Sequence, residues 1–548
     1  MNGPTRSRAI FAVAVLSSAL ITGGWFVQRG LLGTTVAGAD GHRLYQEVLE
    51  RIERDYVDSL PDSTLYLRSI EGLLGELHDP HSVYLTPKRF ARLAESTTGR
   101  YAGVGLQIDV RDGWVTVVAP LPGGPARDLG IQTGDRIVEI DGEPTHGLTV
   151  EEAQRTLRGS PGSVVRLTVE RPGVETRLPF TVRRAEIRVH SVQHALSLGD
   201  GIGYVDLTVF SEESANDLRR AIDSLRSAGV RSLILDLRGD PGGLLDQGVA
   251  VADLFLNPGQ RIVSMRGRTS DANRDFADRA AQVWPQLPLV VLVDSGTASA
   301  SEIVAGALQD HDRAVLLGST TYGKGSAQNV FQIRGGGALK LTTALWYTPA
   351  GRSINKRHVP SSDDDELPTE NAATKPPQFK TDAGRVVYGG GGITPDVSLA
   401  STAASAAELA FEHALGKHIP EFRDALTDYA LSIKASHSIA APGFVVTPEL
   451  RGELLKRMRS RGITMDSTIY NGAAPLIDRL LGAEIARYSF GEDAQFERRL
   501  RSDATMAAAI QLMSGAASQR DLLDRAAARA TTVTRASPTP RPSATSKP

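Results

Sequence analysis

From about residue 200 onward, four short apolar runs, "IGYVDL", "SLILDL", "LVVLV" and "RAVLLG", punctuate the chain. Each reads as a short strand. Helical stretches separate them: in "SANDLRRAIDSLRSAG", Leu218, Ile222 and Leu225 share one face. Strands alternating with helices predict an α/β layer with a parallel sheet. The loops that follow such strands lie at the sheet's carboxyl edge, where α/β sheets bind ligands.

A chain of 548 residues predicts three or four domains, and its pattern changes character several times. Residues 40–98 read as a helical region, with Tyr45, Val48, Leu49, Ile52 and Tyr56 on one face and a break at Asp79-Pro80. Residues 101–185 are strand-rich: "VGLQIDV", "WVTVVA", "RIVEI" and "VVRLTVER", a hairpin signal at Asp141-Gly142, and a short helix "VEEAQRTL". The α/β core runs over 186–400 and includes a polar, acidic, Pro-containing loop at 361–378. Helical pattern resumes over 401–520, and 521–548 reads as a disordered tail ending "SPTPRPSATSKP".

At the other end, Arg6 and Arg8, in residues 1–8, precede the uncharged run Ala9 to Val27, "AIFAVAVLSSALITGGWFV". Residues 9–27 just span a hydrocarbon core, and the two arginines would keep the N-terminus cytoplasmic. A cleaved signal peptide is the alternative, with Ala37-Gly38-Ala39 as a weak cleavage site. The length of the run favours an uncleaved inner-membrane anchor with a periplasmic body; cleavage would release that body into the periplasm.

The chain has no cysteine, which excludes disulfides, zinc–thiolate sites and a thiol nucleophile. Its formal charge of −2 gives no bulk attraction to nucleic acid.

The segment "LVVLVDSGTASASEIVAGALQ" reads as strand, tight turn, helix. Ser299-x-x-Glu302 is a capping box, and by itself that explains the serine. A helix start also offers unpaired N–H groups to an oxyanion, so a serine there can both cap and attack. A serine nucleophile needs a base. His78, His81 and His311 sit in no recognisable nucleophile–base setting, and neither G-x-S-x-G nor H-E-x-x-H occurs. Lys324 in "STTYGKGSAQ" follows the next strand, between glycines that allow close approach. An arbitrary lysine there would be a solvated loop residue.

Together these motifs resemble the C-terminal processing peptidases, or tail-specific proteases, of the S41 type. "GTASASEIVAGALQDHDRAVLLGSTTYGKGSAQ" is similar to their active-site signature. "LHDPHSVYL", "YAGVGLQI" through "RPG", "LILDLRGDPGGLL", "LWYTPAGRSIN" and "GRVVYGGGGITPDV" follow in the family's order, over about residues 42–400. The resemblance implies a ClpP/crotonase-like α/β protease core, a β-rich PDZ domain and flanking helical regions. It places Ser299 as nucleophile, Lys324 as general base and Gln328 as the residue orienting the lysine. It gives Ala300 N–H as one oxyanion donor and the Gly242-Gly243 turn as the source of the other. Asp310 takes the place of an acid in an older triad view, and Glu302 also matches, where capping suffices. No metal or organic cofactor is implied.

The glycines of "AGVGLQI" predict a loop, Gly103, Val104, Gly105 and Leu106, whose N–H groups cradle a peptide's terminal carboxylate while the peptide adds as a strand. The expected partners are proteins or peptides with free apolar C-termini, and the PDZ module could also gate the site. An adaptor or homo-oligomer stays open. Two rivals remain: a scaffold that keeps the fold without catalysis, and a non-proteolytic α/β enzyme. The second would need a phosphate-binding G-x-x-x-x-G-K-[ST], and "GSTTYGKGS" has the wrong spacing.

Overall fold

The computed structural model describes residues 38–356, 376–399 and 404–535. The apolar run at 9–27 and most of the acidic loop lie outside them. Among the described residues no helix is long and apolar enough to cross a membrane. The chain divides into two units, residues 1–84 and 85–548.

The first unit contains α1 (Gly38–Asp55) and α2 (Asp62–Gly75). The apolar stripe expected on α1 is present, but Tyr45, Val48, Ile52 and Tyr56 are exposed. Only Leu74 of α2 is buried.

In the second unit the strand-rich module comes first. β1 (Arg100–Gly103) leads to β2 (Leu106–Arg111), β3 (Trp114–Pro120) and β4 (Arg136–Ile140). Then follow α3 (Val150–Leu157), β5 (Val164–Glu170), β6 (Leu178–Arg183) and β7 (Ala185–Arg188). β2 to β6 form one antiparallel sheet in sequence order, and β2 is an edge. β1 pairs separately with β7. Val165, Leu167 and Val169 alternate inward from β5 to pack with Val115, Val117 and Ile137. Asp141 and Gly142 both take positive φ, as a two-residue hairpin turn requires. Thr149 and Glu152 close a capping box on α3.

The core sheet has the order β8 (Ala195–Gly199), β9 (Ile202–Asp206), β10 (Ser232–Asp236), β11 (Leu289–Val293), β12 (Val315–Gly318), β13 (Val397–Ser398). β9 to β13 run parallel, and β8 is antiparallel to β9. The central strands are buried on both faces, which explains their unbroken apolar runs. Leu233, Leu235, Val291 and Val293 face α4 (Ser214–Ser227), α5 (Leu245–Asp253) and α6 (Ala300–Asp310). Ile234, Val290, Leu292 and Leu317 face the other way.

That second face is covered by the C-terminal helices. α7 (Ile419–Ser436) and α8 (Ala474–Phe490) share a separate apolar core, whereas α9 (Ala504–Met513) and α10 (Gln519–Arg535) lie on the sheet. The helical region therefore does not end at 520. Leu522 and Ala526 are buried against the sheet, so residues 521–535 are helix rather than disordered tail. The Pro/Ser/Thr-rich composition begins only after Arg535, and 536–548 lie outside the described residues.

A further departure from expectation is a small antiparallel sheet. Arg261–Gly267 pairs with Arg274–Ala277 and with Ala338–Tyr347, which pairs with Ser326–Gln332.

Candidate active site

β10 and β11 are parallel neighbours, so the loops leaving them meet at one edge. Asp294 fastens them together: its Oδ1 accepts Gly239 N–H at 2.9 Å and Gly296 N–H at 2.9 Å. Thr297 Oγ1 donates to Leu237 O at 2.8 Å, and Ala298 N–H donates to Asp240 O at 2.9 Å. The next residue, Ser299, starts α6 with φ 58° and ψ −114°. A residue with a Cβ rarely adopts this geometry, and it costs on the order of 1–3 kcal/mol. The surrounding bonds hold it there. The expected capping box is present, and in it Ser299 N–H donates to Glu302 Oε2 at 2.8 Å.

Glu302 is fully buried on α6. Its Oε1 accepts Thr321 Oγ1–H at 2.5 Å and Gly323 N–H at 2.7 Å. Its Oε2 also accepts Lys324 N–H at 2.9 Å. Burial raises its pKa, and the donors from Thr321, Gly323, Lys324 and Ser299 oppose that rise. The cap glutamate thus binds the backbone of both Ser299 and Lys324. Tyr322 N–H adds a bond to Thr297 O at 2.9 Å, so the loop after β12 is fixed to the loop after β11. Ser299 and Lys324 are both half-buried. Sequence reasoning found Glu302 as a cap and missed this second role, which depends on residues about 20 positions further on.

The glycine turn closes the other side. Gly242 has φ 87°, and a methyl group there would lie 2.8 Å from both Ala300 N and Ser299 Cβ. Only a glycine admits this approach. Ala300 N–H belongs to the first helical turn, where it has no intrahelical acceptor. Gly242 N–H donates to Asp240 Oδ1 at 2.7 Å and is not available to an oxyanion in this arrangement. Gly243 N–H takes part in none of the backbone hydrogen bonds among the described residues. Of the two turn glycines, Gly243 is thus the one with an open donor.

Gln328 lies on Ser326–Gln332, and its amide donates to Ser326 Oγ at 2.9 Å and Thr342 Oγ1 at 3.2 Å. Asp310 is structural: its carboxylate accepts from buried Arg352 and from Ala350 N–H. His311 bridges Asp382 and Arg261 O, away from Ser299.

In the strand-rich module, Gly103 ends β1 and pairs with Ala185 rather than lying in the loop. Gly105 has φ 74°, and Val104 and Gly105 carbonyls accept from Ala126 and Leu121. Gly103, Val104, Gly105 and Leu106 line a cleft with Gln154 and Leu157 of α3, beside the edge strand β2.

Comparison with known proteins agrees with this architecture. Residues 201–362 match the model of peptidase family S41, and residues 116–171 match a PDZ domain. The chain is 40% identical over 314 residues to a carboxy-terminal-processing protease of Bartonella bacilliformis, covering 57% of this chain and 71% of that protein. It is 34% identical over 364 residues to the carboxy-terminal processing protease CtpA of Bacillus subtilis, covering 66% and 76%. Among solved structures, a photosystem II D1 C-terminal processing protease matches at 28% identity and TM-score 0.36, covering 66% of this chain and 93% of that one. The chain belongs to the S41 carboxy-terminal processing proteases, serine-type hydrolases that carry a PDZ domain.

Proposed function

We propose that this protease cuts exported proteins near their C-termini, with Ser299 as nucleophile and Lys324 as general base. The observation that carries the reading is the shared Glu302 carboxylate, which brings the backbones of the two residues to one point. Neutral Lys324 Nζ takes the Ser299 proton as Oγ attacks the scissile carbonyl carbon. Ala300 N–H and Gly243 N–H meet the resulting oxyanion. Collapse breaks the C–N bond, and the lysine returns its proton to the leaving amine. Water then attacks the acyl-enzyme, giving its proton to Lys324, and Ser299 Oγ leaves and is reprotonated. For this cycle the lysine must be neutral at the working pH. Gln328 lies on the strand that follows the Lys324 loop, four residues further on, and would orient the lysine.

The PDZ module would hold the substrate's terminal carboxylate at Val104, Gly105 and Leu106 and pair its backbone with β2. Gating by the same module is part of the proposal. The uncharged run at 9–27 supports an inner-membrane anchor with a periplasmic body. Comparison of Ser299→Ala with wild type tests the chemistry, and proteomics of the C-termini that accumulate in cells carrying that variant would name the substrates. Loss of cleavage with folding intact is expected; cleavage within a few-fold of wild type would remove Ser299 from the role.

A further inference from the structure

Asp240, in the turn "RGDPGG", is fully buried, and it touches both sides of the site. Its side-chain Oδ1 accepts Gly242 N–H at 2.7 Å. Its backbone carbonyl accepts Ala298 N–H at 2.9 Å and Ser301 Oγ–H at 3.1 Å, one on each side of Ser299. Its second oxygen, Oδ2, is buried with no hydrogen-bond partner. A carboxylate in that position has one oxygen served by Gly242 N–H and the other left buried without a hydrogen bond.

The charged groups on the neighbouring elements are engaged elsewhere. Arg238 pairs with Asp236 and Asp503. Asp294 serves the N–H groups of Gly239, Gly296 and Thr297. Glu302 serves Ser299, Thr321, Gly323 and Lys324. None of these side chains hydrogen-bonds the Asp240 carboxyl among the described residues. Burial pushes that carboxyl up to about 7, and the bond from Gly242 only partly opposes it.

We propose that Asp240 is a positioning residue for the oxyanion site: its carboxyl takes the Gly242 N–H and so leaves the Gly243 N–H to face the reacting carbonyl beside Ala300. Two effects compete when Asp240 ionises. The bond to Gly242 strengthens, because the acceptor is now charged. The new negative charge also sits behind the turn that must stabilise an oxyanion. At an effective dielectric near 20, like charges roughly 6 Å apart repel by somewhat more than a neutral hydrogen bond gains on becoming charge-assisted. Ionisation therefore slows the acylation step.

This inference rests on the Ser299/Lys324 reading, and the two fail separately. The experiment is the pH profile of kcat and KM on a short peptide for wild type, Asp240→Asn, Asp240→Ala, Ser299→Ala and Lys324→Ala. Wild-type kcat should rise with lysine deprotonation and carry a falling component centred near pH 7. Asp240→Asn keeps the acceptor for Gly242 N–H and cannot ionise, so it should lose that falling component and exceed wild type severalfold at alkaline pH. Asp240→Ala removes the acceptor and should lower kcat at least tenfold at every pH, with KM little changed. An Asp240→Asn profile with the wild-type falling component, or an Asp240→Ala enzyme matching Asp240→Asn, overturns the proposal. If Ser299→Ala or Lys324→Ala remains active, the dyad reading fails instead, whatever the Asp240 variants do.

Discussion

Ser299 and Lys324 donate their backbone N–H groups to the same oxygen, Glu302 Oε2, at 2.8 and 2.9 Å. The two residues are 25 positions apart and leave different strands of the sheet. One buried carboxylate therefore fixes the start of the helix that follows Ser299 and the loop that carries Lys324.

Removing that carboxylate should disturb position rather than chemistry. Glu302→Gln loses the charge and leaves one oxygen where four donors now converge. A buried hydrogen bond to a charged group contributes about 1.5–3 kcal/mol. The variant should lose stability of that order in denaturant unfolding and lose kcat by 10-fold or more. Unchanged kcat in a folded variant would separate the cap from the site.

The backbone strain at Ser299 predicts a trade between stability and activity. A glycine accepts φ 58° and ψ −114° without the penalty that a Cβ incurs. Ser299→Gly should abolish cleavage and raise stability by about 1 kcal/mol relative to Ser299→Ala. Equal melting temperatures for the two variants would mean the serine is not strained.

Asp240 makes a prediction about stability as well as rate. Its carboxyl titrates near 7 in the folded state and near 3.9 when unfolded. Between those values the native state keeps a proton that the unfolded state has released, so this group's contribution falls as pH rises. Each unit of separation corresponds to about 1.4 kcal/mol. Denaturant melts should show Asp240→Asn gaining on wild type from about pH 4 to about pH 7 and holding constant above. A difference independent of pH would place the Asp240 pKa at its ordinary value.

Much of the site was legible in the sequence. The apolar runs identified the strands of the parallel layer, and Ser299-x-x-Glu302 marked the start of α6. Asp141-Gly142 marked the hairpin of the PDZ module. Less legible were features made by distant partners. Gln328 stands on the small sheet, whose strand Ser326–Gln332 is largely exposed and so lacks an inward apolar pattern. The "RGGG" turn at 334–337 was the available signal for that hairpin. The helices α9 and α10 bury their apolar faces against strands that precede them by about 200 residues, so local pattern alone did not assign them to the sheet. The difference between Gly242 and Gly243 turns on one hydrogen bond, from Gly242 N–H to the Asp240 carboxylate, which spacing does not encode.

The PDZ reading has its own test. Amidating a substrate's C-terminus removes the charge that the Val104–Leu106 N–H groups would stabilise. One charge-assisted hydrogen bond lost corresponds to about a 10- to 100-fold weaker engagement. Deletion of 101–185 should also change short-peptide cleavage if the module gates the site. Equal cleavage of free and amidated substrates, with an unchanged rate after deletion, would leave the module without a role in this chemistry.

The most direct measurement is labelling by a fluorophosphonate, read by peptide mass, across pH in wild type, Lys324→Arg and Lys324→Ala. Guanidinium stays protonated, so arginine keeps the charge and offers no base. The account predicts adduct on Ser299 in wild type, at a rate that rises with pH as Lys324 becomes neutral, and comparably slow labelling in both Lys324 variants. Adduct on another serine, or wild-type labelling of Ser299 in Lys324→Arg, would contradict it.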